Sequence, residues 1–462
     1  MTKLRNPFDE LNRTGLTRGH LKLLIVSGFG FFTDAYDLFV IGVVLLILSS
    51  DASTSFHLAG NEVGLIGASS LASAILGQLL FGKIADVYGR KKVYGTELAI
   101  LIAGAIMSAL SWNFSSLLIS RIILGIGIGG DYPVSATIMS EYSNARDRGK
   151  LVGLVFSMQG LGAISAVLAA YFLASKLPAE IAWRALLGIG AIPPSCVVFL
   201  RRKIRETPRF SLFVAGNEKE ASEALRIVLG EKVSKQIEGV RGRGSAFSFN
   251  EFLREYRKPL IITSLSWFLM DIAFYGTGIY SGFIVSQIVM LHSFQGRILA
   301  AGIPYFIGGF GYFLAAFLMD KMGRKRIQLQ GFLAMSVIYI LVAASIVAEG
   351  SRIIGFLFPR ELAFLIYSLS FFFINFGPNE TTFVLPSELF PTKFRSTAHG
   401  IASASGKAGA VIGTYLMPFA LESIGVRGVL VILSIVSVIG AIISLGLKEP
   451  AGLPLEVVSH EI

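Results

Sequence analysis

The stretch Gly82-Lys-Ile-Ala-Asp86-Val-Tyr-Gly89-Arg90-Lys91-Lys92 decides the fold, because its core returns as Asp320-Lys-Met-Gly323-Arg324-Lys325-Arg326. Each matched residue of the second copy lies 234 positions after its counterpart, about half of the 462-residue chain. Both copies sit in short basic turns between apolar stretches long enough to cross a bilayer. A duplicated bundle of membrane helices is the simplest cause, and internal duplication characterises alternating-access transporters.

Composition agrees. Hydrophobic residues make up 53% of the chain and charged residues 15%, well below the roughly 25% of soluble domains, and mean hydropathy is +0.67. A window of about 20 apolar residues, the length needed to cross a roughly 30 Å hydrocarbon core, predicts about twelve helices. They fall near 21–49, 62–85, 93–111, 115–139, 150–175, 182–200, 259–289, 297–319, 327–347, 361–386, 397–421 and 426–447. The predicted fold is an all-α membrane protein: residues 1–200 form one six-helix bundle, 201–258 a linker loop, and 259–462 a second, pseudo-symmetric bundle with a tail. The first apolar segment carries Asp34 and Asp37 and no small-residue cleavage site follows, so it reads as a retained span. Cys196 is the lone cysteine, which leaves no disulfide to form within the chain.

The net charge of +11 does not indicate nucleic acid. Of the 41 Lys and Arg residues, only Lys176, Arg184, Arg297, Arg352, Arg360 and Arg427 fall in loops on one side, and only Arg121 and Lys407 inside helices. The rest gather in the termini, the basic turns and the linker, which the positive-inside rule places in the cytosol. Within the linker, Asn217 to Leu229 and Phe249 to Lys258 read as amphipathic helices along the membrane surface.

Two nucleotide-like patterns fail their context. Gly125, Gly127 and Gly130 spell G-x-G-x-x-G inside an apolar helix rather than after a strand, where close helix packing explains them better. Gly400 to Ala408 resembles a P-loop, but its glycines are one residue too far apart and Ala408 replaces the Mg²⁺-holding hydroxyl. No enzyme activity or cofactor is expected, and the energy for transport must come from an ion gradient.

Ionisable groups inside apolar spans cost a few kcal/mol each, about 2.5–3.5 on insertion scales. This chain has Asp34, Asp37, Glu97, Arg121, Asp131, Asp271, Glu380 and Lys407. A packing ion pair of Arg121 with Glu97 or Asp131 is the bland reading, and function is the default for the set as a whole. Asp34 and Asp37 share one helical stripe; Trp267, Asp271 and Tyr275 share another. Asp37 and Asp271 are again 234 residues apart. A second correspondence, at 247 residues, matches Glu141 and Arg148 with Glu388 and Arg395, and brings Asp131 and Tyr132 level with Asn379 and Glu380, and Gln159 beside the counterpart of Lys407. A site between the halves at mid-membrane depth follows. Thirty-six Phe and fourteen Tyr are mostly packing or interface residues, and His399 is a lone histidine at a helix start.

At these residues the chain resembles the major facilitator superfamily, through Gly82-x-x-x-Asp86-x-x-Gly89-Arg90-Lys91-Lys92 and the six-plus-six arrangement. Within it, the chain is similar to proton-coupled inorganic phosphate symporters, in Gly127-Ile-Gly129-Gly130-Asp131-Tyr132-Pro133-Val134-Ser135-Ala136-Thr137 and Asn375-Phe376-Gly377-Pro378-Asn379. The resemblance implies a phosphate pocket of Tyr132, Gln159, Trp267, Asp271, Tyr275 and Asn379 with Lys407 nearby. It implies a proton route through Asp34, Glu97 and Asp131, with Asp37 a further candidate. Phosphate and protons are the expected partners, beside the lipid bilayer, for a monomer in the plasma membrane. One residue departs from the pattern: Glu380 stands where phosphate symporters more often carry a small polar residue, and its extra negative charge would weaken anion binding if it points inward, unless it faces Arg or Lys or is protonated.

Sugar porters share Gln159, Glu206-Thr-Pro-Arg209 and Pro386-Ser-Glu388-Leu-Phe-Pro391, but the seventh helix lacks their paired glutamines. Organic acid symporters share Asp34-Ala-Tyr-Asp37. A phosphate receptor that does not transport is the reading from a different class. The basic turns have a mechanical role of their own: Asp86 with Arg90, and Asp320 with Arg324, can cap helix ends and latch the halves together, completed by Glu141, Arg148, Glu388 and Arg395.

Overall fold

The computed structural model describes residues 6–50, 54–230, 248–289 and 294–461. Its first half contains spans Arg18–Ser50, Gly60–Tyr88, Thr96–Ala109, Phe114–Tyr142, Arg148–Lys176 and the broken pair Ala179–Ile189 and Ile192–Arg202. The second half repeats the pattern with Phe249–Ile279, Phe294–Met322, Arg324–Ser345, the broken pair Arg360–Ile374 and Glu380–Leu389, then Arg395–Ser423 and Gly425–Ser444. These are called the first to twelfth spans below. Among the described residues, eleven stretches have both the length and the apolarity to cross a membrane. The eleventh span, Arg395–Ser423, has 29 residues but is rich in small and polar side chains, because it lines the interior.

Burial is inverted relative to a soluble protein. Leu76, Leu80, Phe172, Phe199, Phe310, Phe317 and Ile442 are exposed, while Asp34, Glu97, Arg121, Asp131, Glu380 and Lys407 are buried. Apolar side chains turned outward and polar ones inward suit a hydrocarbon solvent, in which every backbone group must be satisfied within the helix. The chain is a multi-pass membrane protein.

The halves meet along two seams, second span against eleventh and fifth against eighth. Both basic turns are built alike: Gly89 and Gly323 adopt φ of 101° and 90°, a region an L side chain rarely enters, and a Cβ at either would collide with a carboxylate, Glu206 or Glu449. Those carboxylates accept the backbone N–H groups that open the next helix: Arg90 and Lys91 donate to Glu206 at 3.1 Å, and Arg324 and Lys325 to Glu449 at 3.0 and 2.9 Å.

In the linker, Glu218–Leu229 is helical, with the Asn217 side chain accepting from Glu220 N–H at 3.0 Å. Residues 249–258, expected as a separate surface helix, instead continue into the seventh span through Pro259. The tenth span breaks where Phe376 and Gly377 leave helical geometry, at (−80°, 40°) and (−167°, −128°), just before Pro378, which has no N–H to give. Asn379 and Glu380 stand immediately after that break.

Candidate functional site

The latch on the basic face is made twice. Arg148 donates to Glu388 at 2.8 Å, from fifth span to tenth, and Arg395 donates to Glu141 at 2.8 Å, from eleventh to fourth. Each carboxylate is also held within its own half, Glu388 by Arg324 at 2.7 Å and Glu141 by Arg90 at 3.0 Å. Asp86 accepts the Ser396 and Thr397 N–H groups that open the eleventh span, at 3.2 and 2.6 Å. Asp320 accepts those of Gly149 and Lys150 that open the fifth, at 3.0 and 2.8 Å. Four unpaired N–H groups start every helix, so each carboxylate caps a helix of the opposite half. With all eight residues engaged across or beside the seams, this face is closed.

The tail adds contacts that sequence reasoning missed. Glu456 accepts from Arg209 at 2.6 Å and from Asn6 and Asn12 at 3.2 Å, and Glu461 accepts from Thr392 N–H at 2.8 Å. Arg148 donates to the Leu453 carbonyl at 2.9 Å. Burial alone would raise the Glu456 carboxyl, but Arg209 and the amides hold it below the usual carboxylate range. Burial pushes Glu206 upward despite Arg90.

Further in, the predicted pocket residues gather between the halves, each 2% exposed or less. Lys407 Nζ donates to Tyr275 Oη at 2.8 Å and to Asp271 Oδ2 at 3.3 Å. It also lies over the Tyr275 and Tyr132 rings, 4.3 and 4.7 Å from their centroids. Tyr132 belongs to the other half, so the ammonium group bridges the two. Gln159 Nε2 donates to Tyr132 Oη at 2.8 Å, and Trp267 packs against the Tyr132 ring at 6.1 Å. Asn379 is turned aside: its Nδ2 donates to Tyr312 Oη at 2.7 Å and Asn375 Oδ1 at 2.8 Å. Tyr312, on the eighth span, was not anticipated; no charge or motif marks it in the sequence.

Aromatic layers close the pocket on both sides. Toward the basic face, Phe383 stacks on Phe156 at 4.3 Å and meets Phe31 at 4.9 Å. His399 supports that layer, its ring nitrogen 3.0 Å from the Phe383 carbonyl. Toward the opposite face, Phe39 stacks on Tyr275 at 5.9 Å and contacts Tyr305 at 4.9 Å. Beyond Phe39 and Tyr305 lies a cavity of about 170 Å³, lined by these two rings with Gly42, Gly278 and Ser281.

The acidic residues of the first half separate into two environments. Glu97 and Asp131 share one cation, but it is Arg201 and not Arg121: Arg201 forks onto Asp131 at 2.7 and 2.9 Å and reaches Glu97 at 3.0 Å. Gly30 on the first span leaves room for that fork, since a Cβ there would strike both Asp131 and Arg201. Asp34 is fully buried nearby, with neither oxygen hydrogen-bonded. Arg121 instead donates to the Asp37 backbone carbonyl and to Ser70, both at 3.0 Å. The Asp37 carboxyl faces Gly190 within its own half. Arg201 was hidden in the sequence by the basic run Arg201-Arg202-Lys203, which topology alone explains.

Two pseudo-symmetric helical bundles closed on one face around a buried polar centre define a membrane transporter, and the chain belongs to the sugar (and other) transporter family, whose pattern matches residues 23–461. Within that family it is 37% identical to inorganic phosphate transporter 1-11 of Oryza sativa subsp. japonica, over 98% of this chain and 90% of that one. It is 36% identical to low affinity inorganic phosphate transporter 4 of Lotus japonicus, over 96% and 92%. In fold it is similar to the proton:xylose symporter XylE bound to 6-bromo-6-deoxy-D-glucose, with a TM-score of 0.81, 21% identity and coverage of 95% of this chain and 98% of that one. Against the inward open xylose transporter XylE of E. coli the TM-score is 0.69, at 21% identity over 95% and 99%.

Proposed function

We propose that this chain imports inorganic phosphate together with protons across the plasma membrane, by alternating access, as a monomer with both termini in the cytosol. Lipid surrounds it and nucleic acid plays no part. The observation that carries the reading is the Lys407, Asp271 and Tyr275 group, buried at the seam and touching Tyr132 of the opposite half. Dihydrogen phosphate has anionic oxygens that need donors and hydroxyls that need an acceptor. Lys407, Tyr132, Tyr275, Trp267 and the amide of Gln159 supply the first, joined by the Asn379 amide once it turns from Tyr312 and Asn375, and Asp271 the second. An arriving anion takes over Lys407 and hands its own O–H to Asp271, a short charge-assisted contact. Fully ionised sulfate has no proton to share and meets only repulsion there. The names of the relatives support the same substrate.

Protons supply the drive. A monovalent anion entering a negative interior opposes about 2.3 kcal/mol per 100 mV, so one accompanying proton cancels that cost and a second makes entry electrically downhill. Asp34, buried beside the Arg201 cluster with neither carboxyl oxygen hydrogen-bonded, is our candidate to travel protonated, with Glu97 and Asp131 exchanging Arg201 between them and Asp37, its carboxyl likewise without a hydrogen bond, in reserve. The eight latch residues hold the cytosolic face shut while substrate enters from outside.

In proteoliposomes, radiolabelled phosphate accumulates under an inward acid gradient and a protonophore abolishes the accumulation. Phosphate binding without accumulation would indicate a receptor, and protonophore-insensitive sugar uptake a uniporter.

A further inference from the structure

Glu380 is the one intramembrane carboxyl in the second half that neither the pocket nor the latch uses. It opens the lower segment of the tenth span, one residue past Asn379, and is fully buried. Its Oε1 lies 2.8 Å from Ser157 Oγ on the fifth span, across the seam. Its Oε2 has no partner and points toward Gly153, where an added Cβ would sit 3.1 Å away, with Ala316 of the eighth span beside it.

The polar and charged groups of the spans packed against it are otherwise engaged, Lys150 of the fifth lying over the Phe317 ring at 5.6 Å. On the eighth span, Tyr312 binds Asn379, and Asp320, one turn beyond Ala316, binds Arg324 and the fifth-span N–H groups. On the fifth span, Arg148 is held by Glu388. On the eleventh, His399 is held by the Phe383 carbonyl. On the ninth, Gln328, which is neutral, accepts from Thr381. Among the described residues no Lys, Arg or His forms an ion pair with Glu380.

Hydrogen accounting then constrains its charge. Ser157 Oγ has one hydrogen and two neighbours at 2.8 Å, the Gly153 carbonyl and Glu380 Oε1. An ionised carboxylate would compete with that carbonyl for the hydrogen and still leave one oxygen of a buried charge with nothing, which burial disfavours. A neutral carboxyl donates its O–H to Ser157, which passes its own hydrogen to Gly153, and every proton is placed.

We propose that Glu380 is a proton-binding residue of the seam, protonated whenever the fifth, eighth and tenth spans close on the cytosolic side and releasing its proton to cytosolic water when they part. The inference rests on the transporter reading for its direction and adds a conformational proton that is neither phosphate's nor the Asp34 group's. The proton is taken from and returned to one compartment, so it carries no charge across the membrane. It makes the closed form bind one proton more than the open form, so closure is favoured at low cytosolic pH and lost as pH rises. Glu388 of the latch works in the other ionisation state, because protonating it would give up its ion pairs with Arg148 and Arg324.

The test is a distance titration on the full chain in nanodiscs. Spin labels at R146C and K321C, both exposed positions, in a C196S background report the cytosolic separation between about pH 5 and pH 9. Expected is an alkaline limb, with the separated population growing as pH rises, that E380Q abolishes while leaving any acid limb in place. S157A, which removes the acceptor of the Glu380 proton, moves the alkaline limb to lower pH. A wild-type distance unchanged at high pH, or an E380Q titration matching wild type, overturns the proposal. Phosphate uptake by the same preparation is scored separately: its absence sinks the transport reading, while the titration still decides the role of Glu380.

Discussion

The latch on the basic face and the central pocket belong to the same duplicated framework and treat that duplication in opposite ways. At the latch, Glu141, Arg148, Gly149 and Lys150 have counterparts 247 residues on in Glu388, Arg395, Ser396 and Thr397, and both sets make the same bonds. In the pocket the same offset pairs Gln159 with Gly406, Lys407 with Gly160 and Tyr132 with Asn379. Even the carboxylates 234 apart part company: Asp271 faces Lys407, whereas Asp37 faces Gly190. A closing surface gains from symmetry, since two halves rocking against each other need matched ends. A pocket for one small anion needs a cation on one side and a proton acceptor beside it, which symmetry would only dilute.

The largest expected effect lies in the asymmetric centre. Asp271→Asn keeps the shape, removes the negative charge and leaves Lys407 buried without its counter-ion, a change worth about 3–5 kcal/mol. Uptake should fall at least ~100-fold while the purified protein keeps its elution profile. Uptake within threefold of wild type would show that the pocket is elsewhere.

Next comes the cation of the first half. Arg201→Gln leaves Glu97 and Asp131 buried together without a positive partner, and Arg201→Lys replaces a two-pronged contact with a point charge. Proton-driven uptake should drop by ~10-fold or more in the Gln variant and less in the Lys variant, with a displaced pH optimum in both, measured as initial rates across an external pH series. Equal, pH-independent losses would reduce Arg201 to a packing residue.

That residue also shows where sequence reading stops. Twelve spans and the paired latch were legible because length, apolarity and an exact repeat are properties of the chain itself. The residues proposed for the pocket were picked out through resemblance, and the structure gathers them at the seam with Asn379 turned toward Tyr312. Arg201 was not legible, because a basic run at a helix end has a sufficient topological explanation and only the tertiary path of the sixth span turns one of its members inward. Glu456 and Glu461 escaped for a related reason: carboxylates in a short polar tail read as solvated until the tail folds back beneath both bundles. Glu380 stood out as a departure, yet whether it met a cation or carried a proton depended on which face of the fifth span it touched.

If the symmetry of the latch is mechanical, its two halves should fail alike. Glu141→Gln and Glu388→Gln each remove a charge shared by two arginines, one from each half. Both should lower uptake roughly tenfold, match each other within about a factor of three, and leave the phosphate KM nearly unchanged, since neither touches the pocket. Unequal losses would mean that one pair, not both, bears the closing.

The smallest effect separates the latch from mere orientation. Lys91 belongs to the repeated signature, yet its side chain is exposed and its bond to Glu206 is made by the backbone N–H, which any non-proline residue supplies. Lys91→Gln should therefore change stability by less than about 0.5 kcal/mol and leave uptake kinetics at wild-type values. Arg90, one residue earlier, is fully buried and holds both Glu141 and the Thr392 carbonyl, so its side chain does what the Lys91 side chain does not. A Lys91→Gln defect as large as that of Glu141→Gln would place the ammonium group in the latch and break the distinction between residues that close the gate and residues that only set its sidedness.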